Sequence, residues 1–282
     1  MSFRHGICVL GASGYAGKAI FEAFERRGFD VCGTYFRHPV PGKGLHRLDI
    51  GEGRDVTSLF RSLHPSVIVN AAADWSTKET MERTIVRGAA ILAEACRKAD
   101  CKLVHISTDV VFDGVKGCYT ESDPPNPVHD YGEAKALAES EISRAPDYLI
   151  IRTSLIIGHD GLDAQSRWIR DSLSEGKKIV LFTDEYRSPI WVEDLAESVA
   201  KLVELRETGI VHIAGTQGLS RYQLGTFLAK KMQLDPSGIT PGLQSESGLV
   251  RPRDCTLNVN KALGLGIMLK PLAPEMEGKH CG

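Results

Sequence analysis

Tyr131 and Lys135 stand four residues apart in a segment of helical periodicity, DYGEAKALAESEISRA, so both side chains project from one helix face. A phenol titrates near about 10 and is a poor acid at neutral pH unless a cation stabilises its phenolate. An ammonium one helical turn away supplies that charge, and the pair can then give a proton to an oxygen that is becoming an alkoxide. A third hydroxyl to steady that oxygen is offered by Ser107 or Thr108, which end the β-rich run CKLVHIST. The chemistry these groups suit is reduction of a ketone, with Tyr131 as proton donor and Lys135 as its electrostatic support. Such chemistry requires a hydride carrier.

A site for the carrier is written near the N-terminus. Gly11, Gly14 and Gly17 form G-x-x-G-x-x-G between the apolar run GICVLG and the amphipathic run AGKAIFEAFERRG. At such a strand-to-helix turn the backbone can approach a pyrophosphate and helix N–H groups can bind it. The spacing departs from G-x-G-x-x-G and resembles the short-chain dehydrogenase variant. About twenty residues on, an Asp or Glu would take the adenosine ribose hydroxyls and exclude a 2′-phosphate. Here that place holds Tyr35, Phe36, Arg37 and His38, and Asp30 precedes the second strand, at its wrong end. Arg37 facing a 2′-phosphate predicts NADP as cofactor, with NADPH preferred over NADH. The competing reading of Arg37 is a solvated loop cation.

The elements that must position these groups alternate in type. GICVLG, AGKAIFEAFERRG, DVCGTYF, a helix near DVTSLFRSL and SVIVNAAA read in βαβαβ order. The order continues through TIVRGAAILAEACRKA, CKLVHIST, the helix carrying Tyr131 and YLIIRTSLII. This predicts an α/β fold, a doubly wound parallel sheet of the Rossmann type covered by helices on both faces, with a smaller C-terminal substrate lobe. VEDLAESVAKLVELRE and GIVHIAG return to the sheet. The domains interleave: residues 1–154 plus about 190–214 form the NADP-binding domain, and about 155–189 plus 215–282 the substrate lobe. Stretches such as TESDPPNPVHD read as loops.

At 282 residues with a net charge of -2, the chain carries no electrostatic footprint for nucleic acid or anionic membrane. A small-molecule partner is expected. MSFRHGICVLG enters an apolar strand within six residues and has no long apolar stretch, which predicts neither signal peptide nor membrane span and a cytoplasmic residence. The seven cysteines, Cys8, Cys32, Cys96, Cys101, Cys118, Cys255 and Cys281, lack C-x-x-C spacing; reduced thiols and no metal site are expected. His105 reads as a core histidine under the sheet, Ser220 as a helix N-cap, and Arg26-Arg27 as a pair suited to a helix C-terminus. Helical faces are compatible with a homodimer.

Four segments in order, STDVVFDG at 107–114, YTESDPPNP ahead of Tyr131-Gly132-Glu133-Ala134-Lys135, RTSLIIG at 152–158 and Arg251-Pro252-Arg253, closely resemble the dTDP-4-dehydrorhamnose reductase family. These are extended short-chain dehydrogenases that reduce a 4-keto-6-deoxysugar on a nucleotide carrier, and the resemblance spans most of the chain. Carried over by position, it implies Thr108, Tyr131 and Lys135 as catalytic residues. Ser13, Gly14, Tyr15, Ala16, Asp49, Ile50, Ala71, Ala72 and Ala73 would line NADP. Thr108 and Asp109 would meet the sugar, and Arg251 would approach the nucleotide's phosphates. The chain departs from the family at Val110, where a tyrosine is usual, at Asp74-Trp75, in place of a Tyr-Thr stretch, and at Leu155, in place of a tryptophan. All three positions should border the sugar. The family's D-x-x-G-x-P segment is Asp184-Glu185-Tyr186-Arg187-Ser188-Pro189 here, and its terminal helix is replaced by APEMEGKHCG. Asp74, Trp75 and Arg187 could therefore recognise a different ketone.

The leading expectation is an NADPH-dependent reductase of a nucleotide-linked keto-sugar. Two alternatives accompany it: a reductase of a non-sugar ketone or imine in a biosynthetic pathway, and a dinucleotide-binding regulatory subunit similar to the methionine adenosyltransferase β subunit.

Overall fold

A computed structural model describes residues 6–38 and 44–281; the first five residues, read above as leading into the first strand, lie outside the described residues. The chain runs β1 (Ile7–Leu10), α1 (Tyr15–Arg26), β2 (Val31–Tyr35), β3 (Leu45–Arg47), α2 (Gly53–Leu63), β4 (Val67–Asn70) and α3 (Lys78–Met81), which passes through a π-helical turn (Glu82–Arg87) into α4 (Gly88–Ala99). It continues through β5 (Lys102–Thr108), α5 (Asp130–Ile142), β6 (Tyr148–Thr153), β7 (Ile156–Ile157), α6 (Ala164–Ser174), β8 (Ile179–Phe182), β9 (Tyr186–Arg187) and β10 (Ile190–Trp191). Then come α7 (Val192–Glu204), β11 (Gly209–His212), β12 (Leu219–Ser220), α8 (Arg221–Lys231), β13 (Ile239–Gly242) and α9 (Asn260–Gly264).

Two compact units emerge. The first comprises residues 1–108, 130–152 and 196–211. Its seven-stranded sheet has the order β11-β6-β5-β4-β1-β2-β3, and Ile7 of β1 lies between Val31 of β2 and Val67 of β4 in parallel register. The central strands β1 and β4 read as nearly continuous apolar runs and are buried at every position, because both faces are covered. Cys8, Leu10, Ile68 and Leu103 pack against Val56, Leu59, Leu92, Cys96, Ala138 and Ile142 from α2, α4 and α5. Ile7, Val9, Val67, Val69 and Val104, on the opposite side of the pleat, are buried as completely. Each such side chain contributes about 1.5–3 kcal/mol by leaving water. α1 is tied to α7 by Arg26 and Arg27, which reach Glu197 and Glu204 at 2.7–2.9 Å. Helices α2 and α4 stop at His64 and Asp100 in left-handed conformation, residue types that tolerate it.

The second unit comprises residues 109–129, 153–195 and 212–282. Three two-stranded pairs, β7 with β10, β9 with β12 and β8 with β13, pack with α6 and α8 around Ile157, Ile169, Leu181, Trp191, Leu224 and Leu228. Ser220 caps α8 reciprocally with Gln223, as expected of an N-cap. Among the described residues the tail forms no helix after α9; it returns to pair Lys279 with Gly218. Residues 109–129, placed by sequence in the first domain, belong to this second unit because Tyr119 exchanges backbone hydrogen bonds with Thr256 and Asn258.

One expectation about cysteine is corrected. Cys118 and Cys281 are joined in a disulfide with Cα atoms 5.2 Å apart, and only the fold brings these residues, 163 positions apart, together. The other five cysteines are free, and Cys8 faces Cys32 across β1 and β2. Among the described residues no helix is long and apolar enough to cross a membrane.

Candidate active site

The strand order reverses beside β1, with β2 on one side and β4 on the other, and ligands of open α/β sheets bind outside the carboxyl ends at such a point. A cavity of about 310 Å³ lies there. It is lined by Gly11, Ser13 and Gly14 of the turn after β1, by Thr34 and Tyr35 at the end of β2 and Phe36, Arg37 and His38 beyond it, by Asp49 and Ile50, and by Ala71, Ala72, Ala73 and Asp74 after β4. Gly11 has φ of +77°, and a Cβ on it would lie 2.9 Å from the Cα of Ala72. Only glycine keeps this turn open. A Cβ at Gly17 would collide with the Gly11 carbonyl oxygen, so Gly17 is buried and serves to bring α1 close to β1. Tyr15 and Ala16 open α1, half-buried beside the turn. The dimensions and the small residues at the floor fit a dinucleotide.

Asp49 is held from both sides: it accepts from the backbone N–H of Gly51 at 3.0 Å and is ion-paired with Arg83 of the π-helical turn. π-turns are frequent at functional sites, and this one supplies Arg83 to Asp49 and Thr84 to the cavity wall. Arg37 lines the cavity with Nη1 2.9 Å from Asp74 Oδ2. Asp74, expected at the sugar, lines this same cavity. Its neighbour Trp75 is 64% exposed and sets its ring 5.9 Å from that of Tyr131, edge to face.

Tyr131 and Lys135 lie on α5 as the spacing predicts. Lys135 is buried, and its ammonium donates to the carbonyl oxygen of Ile106 at 2.6 Å and lies 3.0 Å from His105 Nε2. His105 Nδ1 lies 3.2 Å from the side-chain amide of Asn70, whose oxygen accepts from the N–H of Ala72 at 3.2 Å. A chain of hydrogen bonds therefore runs from α5 through β5 to the end of β4, beside the cavity. Burial pushes the Lys135 ammonium down to about 8, with Glu139 opposing, while burial and the nearby Lys135 charge hold His105 well below the ordinary histidine range. Sequence reading placed His105 in the core, where it is, but missed its contact with Lys135.

One turn further along α5, Glu139 takes a hydrogen bond from Ser107 and a bidentate pair from Arg152, all buried. Ser107 is thus committed beneath the site, whereas Thr108, half-buried, ends β5. In the second unit Asp109 accepts from Ser154 at 2.6 Å and stands 3.8 Å from Arg187. Arg187 is buried and donates to the Pro252 carbonyl, so it braces loops of that unit. Arg187, Arg221 and Arg251 converge on Glu185, and Arg251 is 41% exposed. Val110 is half-buried, and Leu155 packs against the second unit's core.

Fold and site together define an extended short-chain dehydrogenase/reductase, an NAD(P)-dependent oxidoreductase. Similarity to known proteins narrows the branch. The RmlD substrate binding domain family matches residues 5–273, and the chain belongs to it. It is 31% identical over 276 residues to a dTDP-4-dehydrorhamnose reductase of Streptomyces griseus, covering 91% of this chain and 87% of the relative. It is 25% identical over 280 residues to the methionine adenosyltransferase 2 subunit beta of Danio rerio, covering 94% and 86%. The crystal structure of a hypothetical dTDP-4-dehydrorhamnose reductase from Sulfolobus tokodaii superposes with a TM-score of 0.80 at 31% identity, covering 92% of this chain and 94% of that one.

Proposed function

We propose that the chain uses NADPH to reduce the keto group of a nucleotide-linked 4-keto-6-deoxysugar. One observation carries the reading. Asp74 lines the dinucleotide cavity, and the next residue, Trp75, lays its ring against Tyr131. That contact supports a reading in which the phenol serves the far end of the cavity, with its cation one helical turn along α5. When bound, dihydronicotinamide supplies a hydride for the carbonyl carbon. Tyr131 gives its proton to the carbonyl oxygen, Lys135 stabilises the phenolate left behind, and the Thr108 hydroxyl steadies that oxygen. The exposed face of Trp75 offers a flat apolar platform to a deoxysugar. Arg37 is the cation for the 2′-phosphate. Cofactor binding is assigned to the first unit and nucleotide recognition to the second, where Arg251 is the exposed guanidinium for phosphate.

The test follows NADPH absorbance while a panel of nucleotide 4-keto-6-deoxysugars, non-sugar ketones and imines is offered. Saturable turnover confined to the sugars supports the proposal; turnover confined to the other carbonyls replaces the substrate. The similarity to a methionine adenosyltransferase β subunit supports a second reading, a regulatory subunit. That reading requires a stable complex with a methionine adenosyltransferase catalytic subunit and no substrate-dependent NADPH oxidation.

A further inference from the structure

The cation best placed to read a 2′-phosphate is already engaged. Arg37 Nη1 lies 2.9 Å from Asp74 Oδ2, and both residues line the dinucleotide cavity. The other carboxylate oxygen of Asp74 accepts from the backbone N–H of Ser76 at 3.0 Å and from the Ser76 hydroxyl at 2.6 Å. Asp74 is thus fixed by its own loop with one oxygen turned to Arg37, and the Ser76 hydroxyl keeps its carboxyl below the usual carboxylate range. The guanidinium of Arg37 lies 5.4 Å from the centroid of the Phe36 ring, and those of Arg47 and Arg83 lie 5.5 and 5.8 Å from it. Arg83 is committed to Asp49.

We propose that Asp74 is a positioning residue that sets the cofactor discrimination of this site, by holding Arg37 in an ion pair that the 2′-phosphate of NADPH must open or share. The inference rests on the reading of the cavity as an NADPH site. A phosphate monoester carries close to two negative charges at neutral pH. To reach Arg37 it must approach a fixed carboxylate of like sign, so part of the attraction between arginine and phosphate is cancelled. NADH presents a hydroxyl in that place and meets a neutral pair. Asp74 therefore narrows the gap between the two cofactors, and its removal widens it. The effect is modest because Arg37 is half exposed and water screens the pair.

Fluorescence titration of the purified chain with NADPH and with NADH reads this directly. Asp74→Asn keeps the shape of the side chain, and Asp74→Ser removes the carboxylate by a second route. Either substitution should raise the NADPH to NADH affinity ratio by about threefold to fivefold, with an unchanged circular dichroism spectrum and melting temperature reporting an intact fold. In an Arg37→Ala background, where no ion pair remains to be opened and the bare Asp74 carboxylate alone faces the phosphate, the shift produced by Asp74→Asn should differ from that in the wild type. An unchanged ratio in both single variants, or weaker NADPH binding, overturns the inference. So does an equal shift with and without Arg37. Wild-type protein that binds neither nucleotide would remove the cofactor reading and the inference together. Tight NADPH binding with a ratio insensitive to Asp74 would remove the inference alone.

Discussion

In the proposed mechanism Lys135 acts in its charged form, and burial brings its titration down to about 8. The sign follows from that: the ammonium is present below this value and is lost as pH rises through it, taking with it the stabilisation of the Tyr131 phenolate. The reductive kcat should therefore fall above about pH 8, and a Lys135→Met variant should show a lower rate without that limb. A wild-type profile that stays level well beyond that pH would contradict the assignment. His105 is held neutral by burial, so no acid limb in the ordinary histidine range should come from it. Spacing alone located Tyr131 and Lys135, because a helical offset of four is a local property. The contacts of Lys135 with His105 and of Arg37 with Asp74 join residues 30 and 37 positions apart and needed the fold.

The elements supply rigidity as well as placement. Glu139 of α5, Arg152 of β6 and Ser107 of β5 form a buried network under the catalytic helix. Glu139→Ala leaves a buried guanidinium unpaired and should cost about 3–5 kcal/mol in urea unfolding, whereas joint replacement by Glu139→Leu and Arg152→Met should recover most of it. A single substitution costing less than about 1 kcal/mol would show that water reaches the site. Gly17→Ala drives a Cβ into the Gly11 carbonyl and opens the turn after β1. Dinucleotide affinity should drop about tenfold, the effect of an overpacking penalty in the usual range of about 1–3 kcal/mol; unaltered affinity would mean that the turn yields without consequence. The strands and helices of the sheet were legible because buried parallel strands are continuous apolar runs and their helices have one apolar face. The Glu139–Arg152 pair was not, since neither charge breaks the pattern of its own element.

Across the whole molecule the chain passes back and forth between two units, and residues 109–129, which sequence patterning assigns to the first domain, group with the second unit. That stretch is polar and rich in proline, so nothing local says that its backbone partners lie near residues 256–258. The disulfide between Cys118 and Cys281 was illegible for the same reason, and it clasps the tail to this stretch. Removing it by Cys281→Ser should cost about 2–5 kcal/mol, and a reductant should lower the melting temperature of the wild type but not of the variant. Equal response of both proteins to reductant would mean that the thiols are unpaired in solution. The proposed chemistry rests on Tyr131, and its most direct test is single-turnover reduction of a nucleotide 4-keto-6-deoxysugar by enzyme-bound NADPH, wild type against Tyr131→Phe. The rate of hydride consumption should fall at least about a hundredfold in the variant, the scale of a lost general acid; an undiminished rate would contradict the account.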